Sequence, residues 1–246
     1  HTKTLVLLGK PEDVSNISRK LMDYGLSNVR IYIGADLKQP DEQIVSGNPA
    51  DFLHRTFSAL SLLYIENPNA EPLPVTYGLP DDAFIRGKVP MTKSEIRSIV
   101  LSKLKLTKNA ILFDIGAGTG SIAIEAARQI PDGRVYAIER NPDGLDLIKE
   151  NSLKLQADNL TIVSGTAPEC LDTLPAATHA FIGGSAGHLK EIMQLLYSRN
   201  PEIRIVITAI TLETISQIMT LQKEMSLPEP EIVQLQVSSA KKAGPY

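Results

Sequence analysis

The sequence predicts an α/β fold in which a parallel β-sheet carries helices on both faces and is preceded by a smaller α/β unit. After residue 80, apolar runs of strand length alternate regularly with helical segments, as is typical of strands joined by crossover helices. Before that, the stretch ENPNAEPLPVTYGLP at residues 66–80 is rich in proline, which disfavours regular structure. The sequence therefore predicts a domain at 1–66, a linker at 67–80 and a second domain at 81–246.

The first domain has a short series of elements. Two apolar runs frame an amphipathic segment that Gly25 ends, and a third run precedes the linker. We expect strands at 4–8, 29–33 and 60–65, a helix at 14–24, a turn-rich segment at 34–47 and a short helix within 49–57.

The second domain repeats strand and helix throughout. We expect strands at 110–115, 134–139, 160–164, 179–182, 203–208 and 231–237, and helices at 93–105, 120–130, 142–154, 186–198 and 211–224. Ligands of such sheets bind at the carboxyl ends of the strands, near the point where the strand order reverses.

Composition argues against several classes of protein. The net charge is -3 without a long cluster of Lys and Arg, which disfavours a nucleic acid partner. The only cysteine, Cys170, can form no internal disulfide and is interpreted as a core residue, so we expect a reducing, cytoplasmic location. No apolar run approaches the length of about 20 residues that spans a bilayer, and no metal site is predicted.

The stretch LFDIGAGTGS at 112–121 joins a strand to a helix. Gly116, Gly118 and Gly120 bring bare backbone amides close to a ligand, near the positive end of the following helix. The dinucleotide fingerprint requires a third glycine where this chain has Ser121, so NAD is disfavoured.

The spacing D-x-G-x-G-x-G resembles the first motif of Rossmann-like, class I S-adenosylmethionine-dependent methyltransferases. This resemblance implies S-adenosyl-L-methionine as cofactor, with its methionine portion on the loop and its amino group placed by the acid. The residues concerned are Asp114, Gly116, Ala117, Gly118, Thr119 and Gly120.

Two further strand ends complete the predicted cofactor site. Glu139 ends the next strand about 20 residues on, where a carboxylate accepts both ribose hydroxyls, and Arg140 follows it. Gly165, Thr166 and Ala167 follow the third strand, and Thr166 stands where relatives often have an acid that binds adenine. The alternatives are an exposed strand-end acid at Glu139 and a simple turn at 165–168.

The loop FIGGSAG at 181–187 follows the fourth strand. It lacks the D/N-P-P-[YF] motif of amino-group methyltransferases, and Gly183, Gly184 and Ser185 leave room for a large flat substrate. Ser185 alternatively caps the next helix. His188 is expected one turn into that helix, to cap or pack rather than act as a base. No acid–base pair or triad is evident, so no catalytic residue is assigned.

The stretch IRGKVPMTKSEIR at 85–97 adds a more specific signal. Together with the glycine loop and FIGGSAG, it resembles the decarboxylating precorrin-6B C15-methyltransferase family of cobalamin biosynthesis across residues 81–246. The resemblance implies that Met91, Thr92 and Lys93 lie beside the cofactor. Thr92 alternatively begins the next helix in a capping box with Glu95.

The implied reaction methylates C15 of a precorrin or cobalt-precorrin macrocycle and decarboxylates its C12 acetate. The carboxylates of such a substrate need cationic partners. The candidates are Arg86, Lys88, Lys241 and Lys242, each of which is otherwise a solvated surface charge.

The first domain is similar to the carboxyl half of a tetrapyrrole methylase, the precorrin C5-methyltransferase module, through GLSNVRIYIGADLKQPDEQIVSGNPADF at 25–52. The two modules are fused in this order in precorrin-6Y C5,15-methyltransferases. The amino half of the C5 module is missing, so no C5 activity is expected, and the chain ends before a segment that could form the last strand of the usual seven. The resemblance of the second domain to its family implies a homo-oligomer, such as a tetramer. An RNA methyltransferase of the same fold and a non-catalytic cofactor-binding scaffold remain alternatives.

Overall fold

The computed structural model describes residues 2–70, 77–238 and 240, and the chain divides into two compact units, 1–74 and 75–246. The first unit holds a sheet of four antiparallel strands in the order β1-β4-β2-β3. Its elements are β1 (Lys3–Leu7), α1 (Asp13–Asp23), β2 (Arg30–Ala35), β3 (Gln43–Gly47), a 3-10 turn (Pro49–Phe52) and β4 (Ser61–Glu66).

One face of this sheet forms the core of the first unit. Ile31 and Ile33 of β2 and Leu63 of β4 point to the same side and are fully buried with Val14 of α1. One prediction was wrong here, because strand β3 lies within the segment predicted to be turns. The short helix predicted within 49–57 is present as the 3-10 turn at Pro49–Phe52.

The second unit holds five parallel strands in the order β7-β6-β5-β8-β9. The predicted parallel α/β sheet is therefore confirmed. Its elements are α2 (Ser94–Leu104), β5 (Ile111–Ile115), α3 (Ser121–Gln129), β6 (Arg134–Glu139), α4 (Pro142–Lys154), β7 (Leu160–Ser164), β8 (His179–Ile182), α5 (Leu189–Arg199), β9 (Arg204–Ile207) and α6 (Leu212–Glu224).

Helices cover both faces of this sheet, as a parallel sheet requires. Along β5, Leu112 packs with residues of α2, α3 and α4, whereas Phe113 and Ile115 pack with residues of α5 and α6. The chain runs outward from β5 through β6 to β7 and then returns to β8 on the other side. The strand order thus reverses beside β5, where ligands of such sheets bind.

A further difference from the predictions lies near the carboxyl end of the described residues. Residues 231–238 form no strand, and Ile232, Val233 and Leu235 are exposed. Their apolar pattern favoured a strand, but a strand also needs a partner for its backbone hydrogen bonds.

Cys170 is half-buried at the edge of the core. Residues 71–76 of the predicted linker and the candidates Lys241 and Lys242 lie outside the described residues.

Candidate functional site

The loop between β5 and α3 has three glycines in the left-handed region, with φ of 76° at Gly116, 58° at Gly118 and 75° at Gly120. A Cβ on Gly116 would lie 2.9 Å from both the amide nitrogen and the carbonyl oxygen of Gly184. A Cβ on Gly118 would lie 2.9 Å from the carbonyl oxygen of Pro90. These glycines are therefore required by backbone conformation and by the close approach of two other loops.

A cleft of about 160 Å³ opens at the carboxyl ends of the strands. It brings together residues predicted at four separate strand ends, and the apolar residues Ile115, Ile138 and Ala186 also line it. The predicted residues among its walls are Gly116, Glu139, Arg140, Gly165, Thr166, Ala167, Gly184 and Ser185. A groove of about 610 Å³ beside α5 and α6 is larger, but no predicted site residue lines it.

The carboxylate of Glu139 is held by three backbone amides. Its Oε2 accepts a hydrogen bond of 2.8 Å from Gly118, and its Oε1 accepts hydrogen bonds of 2.8 Å from Arg140 and Asn141. A Cβ on Gly144 of α4 would lie 2.8 Å from the Cγ of Glu139, so glycine at this position leaves room for the acid. Glu139 is thus a well-ordered acceptor on the wall of the cleft.

Asp114, near the end of β5, is buried and does not line the cleft. Its Oδ2 accepts a hydrogen bond of 2.9 Å from the amide of Ala123, while its Oδ1 has no partner among the described residues. Burial raises the pKa of Asp114 to about 7; the Ala123 amide opposes this rise and the charge of Glu139 adds to it. The buried hydroxyl of Thr119 also has no hydrogen-bond partner in the described part of the chain.

The segment before α2 lies against the glycine loop through Pro90, as the contact with Gly118 shows. Met91 packs against the core, the carbonyl of Thr92 accepts a hydrogen bond of 2.5 Å from Arg97, and Lys93 pairs with Asp81 at 3.3 Å. None of Met91, Thr92 and Lys93 lines the cleft. Arg86 and Lys88 of the same segment are exposed.

The predicted capping box of Thr92 and Glu95 was wrong. The N-cap of α2 is Lys93, and no side chain at that position caps the helix. Instead, the amide of Ser94 donates a hydrogen bond of 3.0 Å to the carboxylate of Asp81. An acid from the preceding segment thus satisfies an amide of the first turn, which no local spacing rule could predict.

The loop after β8 is hydrogen-bonded to the end of β5. The amides of Gly183 and Gly184 donate to the carbonyl of Ile115 at 3.0 and 3.3 Å. The predicted capping role of Ser185 was wrong, because α5 begins only at Leu189 and Ser185 offers its carbonyl to the amide of His188. His188 occupies the N-cap position rather than the first helical turn, is exposed, and makes no side-chain capping bond.

Sequence reasoning missed a group of buried polar residues beside the glycine loop. Arg97, Glu125 and Asn151 are at most 1% exposed, and each binds backbone groups of the segment that precedes α2. The only signal in the sequence was a polar side chain at an inward position of a helix. A charged residue at such a position is far more often on the surface.

Metal and membrane sites are absent from the described part of the molecule. Residues 2–70, 77–238 and 240 contain no group of three or more His, Cys, Asp or Glu side chains that could hold a metal ion. Within the same ranges, no helix has both the length and the apolar character needed to cross a bilayer.

Comparison with known proteins identifies relatives of the second unit. The model of a family described as precorrin methyltransferase domain matches residues 82–246. A probable cobalt-precorrin-6B C(15)-methyltransferase (decarboxylating) of Pyrobaculum calidifontis is 39% identical over 174 residues, 70% of this chain and 89% of that protein. The cobalt-precorrin-6B C(15)-methyltransferase (decarboxylating) of Salmonella typhimurium is 40% identical over 161 residues, which are 65% of this chain and 83% of that protein.

A solved structure of a precorrin methyltransferase is also similar to this chain. The crystal structure of precorrin-6y C5,15-methyltransferase from Geobacter metallireducens matches with a TM-score of 0.58 and 43% sequence identity. The match covers 61% of this chain and 81% of that one.

Proposed function

Because this chain belongs to the precorrin methyltransferase family, we propose that it transfers a methyl group from S-adenosylmethionine to C15 of a precorrin or cobalt-precorrin macrocycle and removes carbon dioxide from the C12 acetate. The relatives named for this decarboxylating reaction are matched over more than four fifths of their own length. The observation that carries the proposal is the close approach of Gly116 to Gly184, since it joins the proposed cofactor loop to the proposed substrate loop at one cleft.

The residues around this cleft fit a nucleoside that bears an amino acid. Glu139 is a carboxylate acceptor for ribose hydroxyls, and the backbone at Gly165, Thr166 and Ala167 forms a wall for adenine. Glu139 already accepts three amide hydrogen bonds, so we propose that ribose hydroxyls displace the amide of Gly118 or share the carboxylate with it. At about 160 Å³ the cleft is smaller than most ligand sites, so the amino acid portion would extend along Gly116 and the loop that follows.

Bound S-adenosylmethionine supplies a methyl group on a sulfonium, and the chain's own task is to align an electron-rich carbon with that group. Alignment can lower a barrier by about 7 to 11 kcal/mol. Ile115 and Ile138 make part of the cleft apolar, which helps to exclude water from the reacting atoms. Of the residues that line it, only Glu139 and Arg140 carry a charge, so the walls offer no acid–base pair.

The proposed decarboxylation places most of the chemistry on the substrate. The bond between the acetate methylene and its carboxylate breaks, the electron pair passes into the conjugated macrocycle, and a proton from solvent later replaces the carboxylate. The chain must then hold the other substrate carboxylates. Arg86 and Lys88 are exposed cations for which the described residues provide no ion-pair partner, and we propose that they bind these carboxylates.

The test uses the full chain with labelled S-adenosylmethionine and the macrocycle of the precorrin-6B stage. We expect mass spectrometry to detect a product that has gained CH₂ and lost CO₂. Binding of S-adenosylhomocysteine is measured separately by calorimetry. If the chain binds S-adenosylhomocysteine but leaves the macrocycle unchanged, the proposed reaction is wrong and a cofactor-binding scaffold is favoured. If it methylates RNA instead, the proposed substrate is wrong.

We also propose that the protein is a homo-oligomer. Ile210 and Leu212 are 98% and 80% exposed, and Ile215 lies one helical turn further along α6. Apolar side chains grouped in this way are typical of an association surface. Light scattering after size-exclusion chromatography should give a mass of at least twice 26.8 kDa, the mass of one chain; a monomer would contradict the proposal.

A further inference from the structure

Arg97 of α2 is an arginine with no exposed side-chain surface, and its guanidinium is almost fully engaged. Its Nε donates to Glu125 of α3 at 2.7 Å, and its Nη1 donates to Asp81 at 2.9 Å. Further hydrogen bonds run from Nη1 to the carbonyl of Thr92 and from Nη2 to the carbonyl of Leu79. A buried charge is tolerated only when it is paired and hydrogen-bonded in this way.

The two positive and two negative charges of the side chains around Arg97, its own included, cancel. Arg97 faces Glu125 and Asp81, and Lys93 is 3.3 Å from the second oxygen of Asp81. Burial would raise the pKa of Asp81, but the hydrogen bonds from Arg97 and Lys93 outweigh burial, and the pKa is lowered. The ring of Phe84 lies beneath the guanidinium, with its centroid 4.7 Å from the central carbon of that group.

Every partner of Arg97 except Glu125 belongs to the segment that precedes α2, which we call the strap and define as residues 78–93. Glu125 holds the strap as well, because its carboxylate accepts hydrogen bonds of 2.8 and 3.0 Å from the amides of Gly78 and Leu79. Arg97 of α2 and Glu125 of α3 therefore fix the two ends of the strap to these helices.

The middle of the strap is fixed by Asn151 of α4. Its amide group exchanges hydrogen bonds of 2.6 and 3.1 Å with the backbone of Ile85, and it also donates to the carbonyl of Thr119 in the glycine loop at 3.2 Å. Beyond this point Pro90 lies against Gly118, whose amide binds Glu139. The buried network thus connects through the strap to the loop proposed to hold the cofactor.

We infer that Arg97 is a positioning residue for the cofactor: it holds the strap against the glycine loop and so sets the position of Gly118 relative to Glu139. The inference rests on the proposed function, since it assigns Arg97 a role in cofactor affinity. An arginine suits this role because its planar group donates in several fixed directions at once, which lysine cannot do.

The test measures the affinity of the full chain for S-adenosylhomocysteine by calorimetry in Arg97→Lys, Arg97→Met and Asp81→Asn. The control is Arg204→Lys, because Arg204 also donates to a backbone carbonyl of α2 at 2.7 Å, but does so from the start of β9 to Lys103, near the carboxyl end of that helix. We expect Kd to rise by about tenfold in Arg97→Met, less in Arg97→Lys, and to stay unchanged in the control.

Calorimetry separates this role from a merely structural one. A structural defect lowers the number of sites per chain and leaves the Kd of the folded fraction unchanged, whereas loss of positioning raises Kd at full stoichiometry. Hydrogen exchange gives a second readout, since the amides at 78–93 should exchange faster in both Arg97 variants while those of β8 do not change. If Arg97→Met does not fold, the test uses Arg97→Lys and Asp81→Asn instead. An unchanged Kd for S-adenosylhomocysteine in both variants would overturn the inference.

The outcome also distinguishes this inference from the proposed function. If the unaltered chain binds no S-adenosylhomocysteine, the proposed cofactor is wrong, and faster exchange at 78–93 in Arg97→Lys would still support the link between Arg97 and the strap. If the unaltered chain binds and the variants bind equally well with equal exchange, the cofactor assignment stands and the positioning role is wrong.

Discussion

The carboxylate of Glu139 at the end of β6 accepts a hydrogen bond of 2.8 Å from the amide of Gly118 in the loop after β5. One acid therefore faces the cleft and also fixes the loop beside it. Its two further bonds, from Arg140 and Asn141, hold the carboxylate in a single orientation. A change at Glu139 should thus alter both the affinity for the nucleoside and the order of the glycine loop.

Replacing Glu139 with alanine should weaken the binding of S-adenosylhomocysteine by about 1 to 3 kcal/mol, the scale of a lost charged hydrogen bond. Glu139→Gln keeps one oxygen acceptor and should fall between alanine and the native residue. The measurement is calorimetric titration. Glu150→Ala, on an exposed position of α4, is the control and should bind normally. Native affinity in Glu139→Ala would remove this residue from the site.

Gly118→Ala should destabilise the second unit by roughly 1 to 3 kcal/mol, the cost of holding a residue with a Cβ in an unfavourable conformation. The glycine has a φ of 58°, and the added Cβ would lie 2.9 Å from the carbonyl oxygen of Pro90. Urea unfolding measures the free energy. Gly87→Ala is the matched control, since its Cβ would make only an ordinary contact of 3.5 Å with Leu147. Equal stability of the two variants would contradict this account.

Asp114 should make stability depend on pH. Burial raises its pKa to about 7 in the folded chain from an ordinary value of 3.8. Between these values the folded state binds a proton that the unfolded state has lost, so stability decreases as pH rises through this window and levels off above it. Asp114→Asn keeps an acceptor for the amide of Ala123 but does not ionise. The variant should gain stability over the native chain from about pH 4 to 7, as thermal unfolding at several pH values can measure; a constant difference would contradict this.

Most of the second unit could be predicted from the sequence because local signals and long-range packing agree there. The bounds of β6, α4, β7 and β8 are those predicted, since most of the apolar residues of β6 and β8 are buried and each of the four elements ends where turn-forming residues or a helix start follow. Strand β3 could not be predicted, because it lies at the edge of its sheet and most of its side chains are exposed. Its existence depends on pairing with β2, which no local pattern records.

The same distinction applies to the candidate site. Glycines and an acid at strand ends have a fixed spacing, and the structure brings Gly116 and Glu139 to one cleft. The partners of Arg97 are up to 28 residues away in sequence, and only the packed fold brings them together. An arginine one turn into an amphipathic helix is usually a surface residue, so its burial could not be predicted from α2 alone.

Arg86→Gln and Lys88→Gln should each raise the KM for the macrocycle about two- to fivefold, because exposed ion pairs contribute little individually. The Kd for S-adenosylhomocysteine should not change, since neither residue lines the cleft. Added salt should raise the native KM more than that of the double variant, because screening weakens only attractions that are still present. Lys149→Gln, an exposed cation of α4, is the control. An unchanged KM in the double variant, with native salt dependence, would show that other cations bind the substrate carboxylates.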